Sequence, residues 1–177
     1  MAIIKPNNNT LSAVTALPAA ITTGKVLQVV QTVKTDHFTS TSDGFFDITG
    51  LSVAITPSAS SSKVFVISDL AIGSNDASAY NNGFKVLRGS TSIGIGTSGT
   101  SANYSGGWNL YEGDTTHPHI FGNAKFFLDS PSTTSATTYK IQTHSNGIVY
   151  INRSKDDSNE ANRSRNASTM VAKEIKG

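Results

Sequence analysis

The chain has 177 residues, 37% hydrophobic and 15% charged, with a formal net charge of +2 and no cysteine. That length suits one domain with an appendage, and the absence of cysteine excludes a disulfide framework and any thiolate metal site. The small net charge, with Lys and Arg scattered along the chain, argues against a nucleic-acid partner. No apolar run approaches the roughly 20 residues that cross a bilayer, which argues against a membrane partner.

Residues Ala2 to Gly24 mix small apolar clusters (Ile3-Ile4, Leu11, Val14, Leu17) with Pro6, Pro18 and an Asn tract, and keep neither helical nor strand periodicity. The expectation is an extended N-terminal arm over residues 1–24, ahead of a domain over residues 25–177. Such an arm cannot bury its own side chains, so Ile3, Ile4, Leu11, Val14 and Leu17 are the candidate contacts with another protein. A tail without fixed structure is the plainer reading of the isolated molecule. This segment has no continuous apolar stretch of signal-peptide length, so the expectation is a soluble chain made in the cytoplasm of a host cell.

From Lys25 onward, Ser, Thr, Asn and Gly fill the gaps between short apolar runs. These residues disfavour helix and leave turns and strands. Predicted strands run over Lys25 to Val33, Phe45 to Ile48, Leu51 to Thr56 and Lys63 to Ile72, with turns at Thr49-Gly50 and Pro57 to Ser62. Within the fourth, Val64, Phe65, Val66 and Ile67 form a continuous apolar run expected of a buried strand. Further strands are predicted at Gly83 to Arg88, Ser92 to Ile95, Trp108 to Tyr111, Ala124 to Asp129, Thr137 to Thr143, Gly147 to Asn152 and Ser168 to Ile175. So many short strands with Gly and Ser turns predict an all-β sandwich or barrel, and this number in one domain favours a jelly roll. Gly73 to Asn82 and Gly96 to Gly107 read as long exposed loops, and Arg153 to Ala167 as a solvated loop carrying both signs of charge.

Several blocks carry a resemblance: Gly24-Lys25-Val26-Leu27-Gln28-Val29-Val30-Gln31, Asp47-Ile48-Thr49-Gly50-Leu51-Ser52-Val53, Ile55-Thr56-Pro57-Ser58, Phe127-Leu128-Asp129-Ser130-Pro131 and Ser168-Thr169-Met170-Val171-Ala172-Lys173-Glu174-Ile175. In this order they resemble a family of small virion proteins from aquatic bacteriophages, including cyanophages. Residues Gly73 to Gly122 carry none of it. The resemblance implies a jelly-roll sandwich similar to the complement and tumour-necrosis-factor type, forming a homotrimer on the particle exterior. Its members serve as capsid decoration (cement) proteins bound to the major capsid protein, or as tail-fibre proteins joined to other tail proteins and touching the host surface, where a glycan is a candidate partner.

Catalytic signals are poor. The four histidines are His37, His117, His119 and His144, and neither a Gly-x-Ser-x-Gly elbow nor a His-Glu-x-x-His pair occurs. The expectation is a protein that is not an enzyme and needs no cofactor. His117-Pro118-His119 is the one constellation of note, since on a strand both imidazoles would point the same way and three copies around an axis could hold a metal. A water-facing turn at Pro118 is the reading adopted, with no metal expected. Tyr80, Tyr104, Trp108 and Tyr111 could form a carbohydrate-stacking surface, though ordinary packing of core or rim aromatics is favoured.

Overall fold

In a computed structural model, residues 24–41, 44–74, 82–97, 104–108, 120–145, 147–161 and 163–177 are described. Every regular element among them is a strand, and these form two antiparallel sheets packed face to face. The first sheet sets β1 (Val26–Lys34) beside β11 (Ser168–Ile175), β11 beside β4 (Lys63–Ser74), and β4 beside β8 (Ile120–Asp129). Two short strands, β10 (Val149–Ile151) and β2 (Phe38–Ser40), extend it along the end of β4. The second sheet runs β3 (Gly44–Ile55), β9 (Thr137–Ser145), β5 (Asn82–Arg88) and β6 (Thr91–Ile93), with β7 (Gly106–Trp108) also on β5. The chain changes sheet from β2 to β3, β3 to β4, β4 to β5, β7 to β8, β8 to β9 and β9 to β10, and it closes by laying its last strand against its first. This is the jelly-roll order.

The alternation of side chains on each strand explains the core. Val64, Val66, Leu70 and Ile72 of β4, Met170 and Ala172 of β11, Leu51, Val53 and Ile55 of β3, Phe84 and Val86 of β5, and Tyr139 and Ile141 of β9 meet between the sheets, all buried.

Among the buried polar groups, Asp129, Asn152 and Glu174 are each held by several hydrogen bonds. Asp129 accepts bonds from Arg88 Nη1 at 2.9 Å and from the Tyr139 hydroxyl at 2.7 Å, tying β5, β8 and β9 together. Burial pushes the Tyr139 hydroxyl far above its ordinary range, and its bond to Asp129 adds to the rise. Asn152, at φ 66°, donates to the carbonyls of Lys34 (2.7 Å) and Asp36 (2.9 Å) and accepts from Ser168 Oγ (2.6 Å). Asn tolerates this left-handed backbone better than a branched residue does. Glu174 accepts from Gln28 Nε2, Ser58 N and Ser58 Oγ, each at 2.7 Å, and so fastens the 57–62 turn to β1 and β11.

Three local expectations are corrected. Thr49-Gly50 is no turn: β3 runs through it, and the slip in its pairing with β9 between Asp47 and Ser52 absorbs the positive φ of Gly50. The strand predicted at Trp108 to Tyr111 begins earlier, at Gly106, where a glycine lets the Phe84 ring lie against the backbone. Strand β2 was missed, since three residues are too few to show a period. The turn at 57–62 is present, closed by Ser62 N donating to the Ala59 carbonyl at 3.1 Å.

Candidate interaction surfaces

The outer face of the first sheet is apolar. Cross-strand partners share a face, so the register sets Val29, Lys173, Phe65 and Leu128 in one outward row. The next row holds Gln31, Val171, Ile67 and Phe126, and the one after it Val33, Thr169, Asp69 and Ala124. Val29, Val33, Phe126 and Leu128 are at least half exposed, Phe126 most of all at 60%. Phe65 and Phe126 stack at 6.5 Å between centroids. A sheet in a lone sandwich ordinarily shows water a polar face; here the apolar surface crosses four strands, with one lysine and one aspartate, Lys173 and Asp69, set two rows apart within it. A face of that breadth is a candidate interaction surface.

The outer face of the second sheet is different. Phe45, His144 and Gly83 form one row, and the Tyr104 ring covers Gly83 at the place a Cβ would occupy. Phe45 lies 5.4 Å from Tyr104 and 5.1 Å from His144, with Lys85 Nζ 3.6 Å from the Phe45 centroid. The next row is Asp47, Gln142 and Lys85. Asp47 accepts from Lys140 Nζ and Gln142 Nε2, each at 2.8 Å, and the Lys140 bond above all holds its carboxyl below the usual range. Desolvation raises the Tyr104 hydroxyl.

The charged loop 153–167 closes on itself. Asp157 pairs with Arg165 at 2.8 Å and Arg153 at 3.7 Å, and Asp156 with Arg163 at 3.5 Å. These carboxylates are therefore bound to guanidinium groups rather than to each other.

The arm residues Ile3, Ile4, Leu11, Val14 and Leu17 lie outside the described residues, as do His117, His119, Tyr80 and Tyr111. Among the described residues no group of three or more His, Asp or Glu is placed to hold a metal. Of the four aromatics singled out in the sequence, Tyr104 joins a surface cluster, and its partners Phe45 and His144 were missed. The outer face of the first sheet was missed as well. Its signal was in view: Val64 to Ile67, Val29-Val30 and Phe126 to Leu128 are apolar without alternation.

No protein-family model matches this sequence, and no curated protein does. Among solved structures, the chain is similar to one in the structure of infectious bursal disease virus Gx strain, at 16% identity and a TM-score of 0.37. That match covers 84% of this chain and 39% of the other, so this chain spans about two fifths of the viral chain's length. A similarity this loose carries no argument about function.

Proposed function

We propose that this chain is a non-enzymatic structural protein of a bacteriophage particle: a capsid decoration, or cement, protein that forms a homotrimer and binds the major capsid protein on the particle exterior. The observation that carries the self-association is the apolar outer face of the first sheet. Its strands are apolar on both sides, yet the described residues pack a core against only one side. Phe65 and Ile67, read from sequence as part of a buried run, are half-buried and point away from the core. Burying a fully exposed Val, Leu or Phe contributes about 1.5–3 kcal/mol, so covering Val29, Val33, Phe126 and Leu128 stabilises an assembly by several kcal/mol. A second copy suits this face because Lys173 of one chain can meet Asp69 of the next, and where such contacts run head to tail with a threefold rotation they close into a trimer.

The virion assignment is supported by the resemblance of the ordered sequence blocks, which implied the jelly roll that the chain adopts. In this reading the arm, with Ile3, Ile4, Leu11, Val14 and Leu17, lies on the shell and bridges capsid subunits. Extended segments cover much surface for their length.

Immunogold labelling of intact particles with an antibody to the domain tests the assignment. Label spread over the head supports decoration. Label confined to the tail moves the protein to the tail-fibre class, and unlabelled particles contradict both.

A further inference from the structure

We propose that the outer face of the second sheet binds a pyranose saccharide, at the cluster of Phe45, Tyr104 and His144 and the polar row beside it. Sugar recognition needs two things side by side: an aromatic surface for the C–H face of the ring, and fixed hydrogen-bonding groups for its hydroxyls. Aromatic side chains with a few placed polar groups are the common lining of small-molecule sites.

Both are present here, on neighbouring rows of the same sheet. Three rings from β3, β9 and the residues just before β7 lie within 6.2 Å of one another. Gly83 is what lets them gather, because any side chain there would collide with the Tyr104 ring. The next outward row is two residues along the strands, about 7 Å away, and contains Asp47 and Gln142. The Asp47 side chain is 52% exposed, yet it is held from two sides by Lys140 and Gln142. Its two oxygens offer about four acceptor positions, so capacity remains for sugar hydroxyls. The polar groups are thus oriented before a ligand arrives, which lowers the ordering cost of binding.

Clustered rings near lysines are also a surface on which nucleic-acid bases could stack. The carboxylate of Asp47 at the β3 end of the row opposes a phosphate backbone, and the net charge of +2 supplies little counter-attraction. The saccharide is therefore the favoured ligand. This site lies on the sheet opposite the self-association face and does not depend on the particle reading.

The test is a nuclear magnetic resonance titration of the full chain with the methyl glycosides of glucose, galactose and N-acetylglucosamine at millimolar concentration. Tyr104→Ala and Asp47→Asn are titrated in parallel, each first shown to keep the dispersed amide spectrum of the folded chain. Expected are shifts centred on Phe45, Tyr104, His144 and Gln142, with affinity about tenfold weaker in Tyr104→Ala and about fivefold weaker in Asp47→Asn. No shift with any of the three glycosides overturns the proposal. So do shifts that both variants leave unchanged, or shifts at these residues with a thymidine oligonucleotide but with no glycoside. Immunogold label on the particle stands or falls separately from each of these results.

Discussion

Glu174 shows how one buried residue ties stability to pH. Burial alone would raise its carboxyl, but the bonds from Ser58 and Gln28 outweigh that penalty and bring it down to about 2 from an ordinary 4.5. A carboxyl lowered on folding stabilises the native state above its unfolded value, and that contribution is lost as pH falls through the folded value. Thermal unfolding of the chain should therefore show a Tm that drops between about pH 4.5 and pH 2. Glu174→Gln should unfold at lower temperature near pH 7 and lose much of that slope. A slope equal to that of the unsubstituted chain would show that Glu174 does not govern the acid limb. Sequence alone gave no hint of this residue: Glu174 sits in a strand pattern like any solvent-facing polar residue. Its partners Ser58 and Gln28 are 116 and 146 positions away.

At the scale of the strand, β3 turns on Gly50. Its φ of +81° suits glycine, while a side chain there costs about 1–2 kcal/mol. Gly50→Ala should lower stability by about that amount in urea unfolding with the slope unchanged, whereas Gly89→Ala, in a turn open to solvent, tests how much strain alone contributes. Equal stability of Gly50→Ala and the parent would mean that β3 straightens without cost. The sequence showed two strands here because Thr-Gly reads as punctuation; the pairing of both halves with the same partner, β9, is what joins them. Most other strands were legible because one face alternates apolar residues into the core, as Leu51, Val53 and Ile55 do. Of the three-residue strands, β2 was missed, β6 and β7 were shifted and β10 was expected too long, since their placement comes from neighbours in the sheet rather than from any local period.

For the whole molecule, the two sheets face outward with opposite characters, one broad and apolar, the other polar around a small aromatic cluster. The jelly roll was legible from the number and spacing of strands. The face that would meet other copies was hidden in plain runs such as Val64 to Ile67, because an apolar run says that both sides of a strand are covered without saying by what. The arm and the His117-His119 pair lie outside the described residues, so the account of the assembly stands on the sheet face. Sedimentation equilibrium of the full chain and of Phe126→Asp tests it most directly. Phe126 points away from the core, so an aspartate there leaves the sandwich intact and places a charge in the middle of the proposed contact. A trimer mass for the parent chain at micromolar concentration, and a folded monomer for Phe126→Asp, is the predicted result. A monomeric parent chain, or a trimer that the aspartate leaves undisturbed, would contradict the account.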